Sequence, residues 1–285
     1  MSPRSAASAD RLESAWAQRV RENRDQAERF RETQTPDFYA PVSSLFVADP
    51  RRTDEPALAA LLASATEDQT WLDIGSGAGR YALPLALVVR EVIAVEPSAG
   101  MRGALRTGMG EHGISNVRVV AGAWPESLER LGDLPAADVS LIAHVGYDIE
   151  AIGPFVDAME AAASRLCIAM LTDRSPASVA DPFWPIVHGM ERVPLPALPE
   201  LAELLRARGR DIRIEEVERT PRTFDSFDGL ATFVRRQLWI TDDGDKEQRF
   251  REALAGMARE LDDDGWTLRN PPVGSIGILT WTPGG

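Results

Sequence analysis

Apolar residues along this chain follow two periods in alternation. Five short runs are apolar at nearly every position: 70–74 (TWLDI), 91–95 (EVIAV), 117–121 (VRVVA), 138–143 (DVSLIA) and 166–171 (LCIAML). Runs of this length without polar alternation predict strands covered on both faces. Between them the period lengthens. Ile152, Phe155, Val156 and Met159 recur at helical spacing, and so do Leu198, Leu201, Leu204 and Leu205. Buried runs alternating with helical stretches predict β-α-β units and a parallel sheet with helices on both sides.

The two ends of the chain depart from this rhythm. Residues 1–9 are small, polar and terminal, and are expected to be disordered. From Asp10 to Thr33, Leu12, Trp16, Val20, Ala27 and Phe30 recur among charges, which predicts an amphipathic helix. It should stop before Pro36, because a residue preceding proline avoids the helical region. The following PDFYAPVSSLFVADPRR reads as a loop that exposes Phe38 and Tyr39. Near the other end, strands are predicted at 211–218 (DIRIEEVE) and 275–281 (SIGILTW). The stretch between them carries two helical patterns, Leu230, Phe233, Val234 and Leu238, then Phe250, Leu254, Met257 and Leu261. So long a connection is not a bare loop; it predicts a helical insertion lying over the sheet. The expected division is an N-terminal helix and lid (1–47), a sheet domain (48–225 and 264–285) and a cap inserted within it (226–263).

Composition narrows the function. With 285 residues and 44% hydrophobic content, the chain can bury a sizeable core. No run approaches the roughly 18 apolar residues of a membrane span, and the N-terminus lacks the apolar stretch of a signal peptide. Cys167 is the single cysteine, so no disulfide forms within the chain and a cytoplasmic location is expected. The net charge of −13 argues against nucleic acid or anionic membrane as partner, since both need clustered Lys and Arg. No Cys/His group has zinc spacing, and no metal is expected. A monomer or homodimer is expected.

The chemistry concentrates in WLDIGSGAGR, residues 71–80, where Gly75, Gly77 and Gly79 follow Asp73. Glycine there allows a sharp turn after the first strand. In an open parallel sheet, ligands bind beyond the carboxyl ends of the strands. A dinucleotide loop reads G-x-G-x-x-G and faces a pyrophosphate. Here the spacing is G-x-G-x-G, and the Asp73 carboxylate would repel a phosphate. Glu96 ends the second strand and can accept hydrogen bonds from both hydroxyls of a ribose. Together these features point to a phosphate-free, positively charged nucleoside.

These segments resemble those of the class I S-adenosylmethionine-dependent methyltransferases. LDIGSGAGR matches the first motif of that family, VIAVEPSAGM the second, NVRVVAGAW the third-strand motif and ADVSLIAHVGY the fourth, in order over about residues 68–172. The resemblance implies a doubly wound, mostly parallel seven-stranded sheet of order 3-2-1-4-5-7-6 with an antiparallel last strand. It implies S-adenosylmethionine as cofactor and S-adenosylhomocysteine as product. Gly75, Gly77 and Gly79 would pack on the methionine half, with Asp73 near its amino group. Glu96, followed by Pro97, would hold the ribose. Met101 would lie on the adenine, with Gly122, Ala123 and Trp124 on its other side. His144 would sit near the sulfonium methyl. Many relatives carry Asp where this chain has Ala123, and Pro84 requires the first helix to begin near Arg80.

Several of these residues also have plain readings. Met101 and Trp124 could be core. His144 is either a general base, with an ordinary pKa near 6.5, or a residue that shapes the pocket; Tyr147 is a second candidate for catalysis. Tyr39, the 181–192 stretch with Trp184 and His188, and Trp239 either border the acceptor or seal the core. The expectation is a small-molecule methyltransferase, oxygen acceptors favoured. An RNA or protein methyltransferase, a nicotinamide oxidoreductase and a non-catalytic cofactor-binding protein are the alternatives.

Overall fold

The computed structural model describes residues 3–32, 37–219, 222–262, 265–272 and 274–284. Thr33 and Pro36, where the first helix is expected to end, lie outside the described residues, as do Asp263 and Asp264 at the expected cap boundary.

Seven strands form one sheet: β1 (Thr70–Ile74), β2 (Glu91–Glu96), β3 (Val117–Ala121), β4 (Ala137–Ala143), β5 (Ala163–Thr172), β6 (Arg213–Glu218) and a last strand, Ser275–Trp281. Their order is β3-β2-β1-β4-β5-last-β6. The first five pair in parallel, and the last strand runs antiparallel to both β5 and β6. This is the order and direction that the resemblance implies. Chain direction across the sheet reverses between β1 and β4, so their carboxyl ends flank a crevice. β6 closes the edge with exposed, alternately charged residues, which discourages pairing with another chain.

Alternate strand residues feed two cores. Trp71, Val92 and Ala94 face one side, with α2 (Pro56–Ala63), α3 (Ala82–Ala86) and α4 (Ala99–His112). Leu72, Ile74, Ile93 and Val95 face the other, with α5 (Ile152–Ala162) and α7 (Leu198–Ala207). The leucines and aliphatics that predicted α5 and α7 are all buried. α3 starts at Ala82, two residues later than expected, and ends after five. Pro84 sits in its first turn, where the missing N–H has no helical partner to lose.

The N-terminal helix α1 (Pro3–Phe30) begins seven residues before the sequence reading. The run Ser-Ala-Ala-Ser-Ala has good helix propensity, and Ala9 is buried against the body of the protein. α1 packs against α5 and α7. Trp16 and Val20 insert into the α5/α7 core, and the Trp16 indole donates to Ile149 O at 2.8 Å.

A third core forms the cap. α8 (Phe227–Leu238) and α9 (Gly244–Met257) pack on Phe183 and Trp184, which come from 3-10 turns over Pro176–Phe183 and from α6 (Trp184–His188). The cap core is thus built from two separated stretches, of which 176–188 is not read as cap from sequence. A two-stranded ribbon, β7 (Ala258–Glu260) and β8 (Trp266–Leu268), also departs from the all-helical expectation. It ends α9 early: Met257 is exposed and Leu261 lies beyond the helix. The last strand of the main sheet is therefore β9.

Candidate cofactor and acceptor site

The loop after β1 folds back on β2. Gly75 N and Ser76 N both donate to Val95 O, at 2.8 and 3.1 Å. Gly77 N donates to Glu96 Oε2 at 2.9 Å. All three loop glycines have positive φ. A Cβ on Gly75 would stand 2.6 Å from Val145 Cγ2, while one on Gly77 would meet nothing within 4 Å. Gly75 is thus fixed by packing, whereas Gly77 faces open space.

Two carboxylates flank that space. Asp73 is 2% exposed and has no hydrogen-bond or ion partner among the described residues. Burial, then the charge of Glu96, pushes its carboxyl up to about 7. A buried carboxylate without a partner is costly; an adjacent cation would relieve it. Glu96 is also buried. Its Oε2 accepts from Gly77 and its Oε1 from Ser98 N at 2.7 Å. Burial still raises its pKa, against the lowering effect of those two bonds. Each oxygen keeps a lone pair for a further donor.

The segment after α1 covers this corner. Asp37 Oδ2 accepts from Ser98 Oγ at 2.8 Å and from Gly100 N at 3.3 Å, and its Oδ1 accepts from Tyr39 N and Ala40 N, both at 3.1 Å. Burial opposes ionisation of Asp37, but these four bonds hold its carboxyl below the usual range. A 3-10 helix follows, Ala40–Phe46. Tyr39 is 45% exposed, yet crowding by protein atoms, then Asp148 and Glu96, pushes its hydroxyl up to about 12. A side chain that is both reachable and closely walled lines a cleft. Phe38 stands against Tyr39 and Trp239, with ring centroids 5.2 and 5.0 Å away, so Trp239 reaches the roof through Phe38. Arg236 lies over Phe38, 4.6 Å from its centroid, while Arg235 pairs with Glu247 at 3.2 Å.

His144 follows β4, next to Val145, which packs against Gly75 of the glycine loop. The φ of His144 is 59°, its backbone N–H donates to Met170 O at 2.8 Å, and its Nδ1 is buried without a partner among the described residues. Burial, then the charges of Arg219 and Arg80, lowers its pKa to about 4, with Arg222 adding to this and Glu55 opposing it. The imidazole is neutral at physiological pH. Beside it, 6.3 Å away between centroids, stands the Tyr81 ring. Glu55 gathers Tyr81 OH (2.7 Å), Arg52 Nε (2.7 Å) and Arg80 Nη2 (2.9 Å).

Not every residue singled out in the sequence meets here. Tyr147 is buried; its hydroxyl accepts from Thr172 N and donates to Thr172 Oγ1, both at 2.8 Å, and Thr172 Oγ1 in turn donates to Arg174 O. With both capacities used, it braces β5 and is not placed for catalysis. Trp124 is a core residue whose indole donates to Phe155 O at 3.2 Å. Trp184 and His188 form the cap core with Phe30; the His188 ring lies 4.6 Å from Trp184 and 4.5 Å from Phe30, and its Nε2 bonds Leu238 O at 2.8 Å. They seal the cap and do not open into the cleft. Met101 is buried at the start of α4, its N–H on Ser98 Oγ. Pro97 is exposed beside Glu96; Gly122 and Ala123 follow β3, Ala123 exposed. Sequence reasoning missed Asp37, Glu55, Arg80, Arg219 and Arg222. They are dispersed charges in loops and turns, with no motif to join them.

No family model matches the chain, and no curated protein does. Solved structures match in architecture. The YcgJ protein of Bacillus subtilis superposes with a TM-score of 0.54 at 16% identity, over 80% of this chain and 99% of its own. A protein of Bacillus halodurans C-125, described as a candidate methyltransferase, gives 0.54 at 14%, over 79% and 98%. The fold is that of the class I methyltransferases. A third match on this methyltransferase fold is the cyclase SpnF, with 0.51 at 15% identity over 87% of this chain and 94% of its own. One such scaffold therefore carries a different reaction, and the reaction here has to be argued from the site. Among the described residues no group of three or more His, Cys, Asp and Glu could hold a metal, and no helix is long and apolar enough to cross a membrane.

Proposed function

We propose that the protein is an S-adenosylmethionine-dependent methyltransferase acting on a small-molecule acceptor, with oxygen the favoured acceptor atom. One observation carries this reading: the buried, partnerless Asp73 and the ribose-ready Glu96 stand on neighbouring strand tips, around the open side of Gly77. A cation next to Asp73 and a diol next to Glu96 fit one phosphate-free nucleoside. Asp73 would take the ammonium of the methionine half, and Glu96 the two ribose hydroxyls. Met101, buried in the first turn of α4, would floor the adenine, and Tyr39 would close over it. When bound, S-adenosylmethionine supplies a methyl group on a sulfonium.

The chain's own work is then orientation, exclusion of water and removal of one proton. An in-line acceptor must stand about 3 Å from the methyl carbon. The roof of Phe38, Tyr39 and Trp239 and the cap above it keep water from that line. His144 would take the acceptor's proton on Nδ1; its neutral imidazole, and the lack of any other partner for that atom among the described residues, support this role. A general base contributes about 10²–10⁴-fold. The exposed Ala123 leaves the adenine edge to backbone groups at the end of β3.

Calorimetric titration with S-adenosylhomocysteine tests the reading. The expected result is one site per chain and a raised melting temperature. No heat and no shift would overturn it. Transfer of labelled methyl to a metabolite library, but not to RNA or protein, tests the acceptor class.

A further inference from the structure

A cavity lies next to the tip of β4, since two of its lining arginines, Arg219 and Arg222, act on His144. It is a half-open pocket between the chain after β5 and the cap. Val179, Phe224, Leu230 and Phe233 give it apolar walls; Arg219 and Arg222 bring charge to it. The Arg222 guanidinium stands over three rings, 4.6 Å from the Phe233 centroid, 5.1 Å from Phe46 and 5.9 Å from Phe224. Its Nη2 donates to Leu45 O at 2.6 Å. No carboxylate comes within 4.0 Å of it among the described residues.

An arginine in such a setting is expensive. Burial, then repulsion from Arg80 and Arg219, lowers its pKa to about 10. The chain as a whole carries −13, so acids to pair with it are plentiful elsewhere. Glu55 compensates Arg80, but nothing comparable reaches Arg222. A guanidinium offers a planar fork that fits a carboxylate with two parallel bonds. The flanking rings supply a flat apolar surface beside that fork. The same three arginines act on His144, so the pocket and the tip of β4 share one field.

Resting on the methyl-transfer reading, we infer that the acceptor is a small aromatic carboxylate, its acid group on Arg222 and its ring between Phe224, Leu230 and Phe233. Binding the acid neutralises part of the charge that disfavours protonation of His144. An anionic acceptor therefore makes that imidazole a stronger base than it is in the free protein, where the proton from the acceptor hydroxyl would otherwise have a poor destination.

The test is calorimetry on the full chain saturated with S-adenosylhomocysteine. The probes are 3-phenylpropanoate and 2-naphthoate, each against its primary amide. The acids should bind at least tenfold more tightly than the amides, as a charge-assisted bond to a guanidinium implies. Arg222→Gln should erase the preference, and Arg222→Lys should keep part of it, with S-adenosylhomocysteine affinity unchanged in both. Equal binding of acid and amide would overturn the inference, as would no acid binding or an intact preference in R222Q. The wild-type comparison decides the matter even where a variant fails to fold. Failure to bind S-adenosylhomocysteine would instead sink the methyl-transfer reading, and the acid-against-amide comparison is then read on the free protein.

Discussion

The Gly77 amide donates to Glu96 Oε2 across 2.9 Å, so the turn after β1 is bonded to the carboxylate at the tip of β2. The other oxygen of Glu96 takes the Ser98 amide, at the start of the turn into α4. One buried carboxylate thereby fixes both loops that frame the cleft, while each oxygen can still accept a ligand hydroxyl.

Glu96→Ala should weaken S-adenosylhomocysteine binding at least tenfold and lower the melting temperature, because the buried Ser98 amide loses its acceptor at about 1–3 kcal/mol and the half-buried Gly77 amide loses its own at less. Glu96→Gln retains an acceptor oxygen for one amide and should lose affinity with a smaller loss of stability. Calorimetry and thermal melts on the pair separate the ligand-binding part from the scaffold part.

Asp73 predicts a pH dependence. Its carboxyl has its folded pKa raised to about 7, above the ordinary carboxylate value. A raised acid stabilises the free protein fully below its unfolded pKa and loses that contribution as pH rises through about 7. Ligand binding runs the other way, since a cation needs the ionised form. Affinity for S-adenosylhomocysteine should rise from pH 5.5 to 8, approaching tenfold per unit below 7, with proton release visible as buffer-dependent heat. Asp73→Asn should flatten the profile and bind weakly throughout. A wild-type profile with no slope would refute the assignment of the ammonium to Asp73.

Much of this arrangement is legible in the sequence, for a physical reason. Buried parallel strands are continuous apolar runs, and the glycine turn and the acids at strand tips are local features with fixed spacing. What escaped reading is non-local. Trp184 and His188 look like pocket aromatics, but α8 and α9, both distant in sequence, arrive to bury them. Tyr147 looks catalytic until Thr172 of β5 takes its hydroxyl. Arg222 has no motif at all, and its setting is made by Leu45, Phe46 and Phe233 from separate parts of the chain.

His144 should remain neutral across the physiological range. Burial and the nearby arginines lower its folded pKa to about 4, so its stability contribution is present above about 6.5 and lost as pH falls toward about 4. The His144 ring resonances should be still between pH 8 and 5 in an NMR titration. His144→Ala should cut turnover by about 10²-fold or more while changing S-adenosylhomocysteine affinity little. Equal losses in both would assign the residue to shaping the pocket.

Gly100 and Ala40 predict a way to loosen the roof without harming the fold. A Cβ on Gly100 would stand 2.6 Å from Ala40 Cα, a backbone atom that cannot swing aside like a side-chain tip. In isolation Gly100→Ala favours α4 by up to about 1 kcal/mol, because alanine is the better helix former. The clash falls wholly on the segment that Asp37 clips to Ser98 and Gly100. G100A should therefore melt near the wild-type temperature yet release S-adenosylhomocysteine several-fold faster in stopped-flow displacement. Chymotrypsin should cut it sooner at Phe38, Tyr39 or Phe46. Asp37→Ala removes the clip by a different route and should speed release in the same way. If G100A and D37A both release the ligand at the wild-type rate, the 37–46 segment does not cover the cofactor, and Tyr39 has another task.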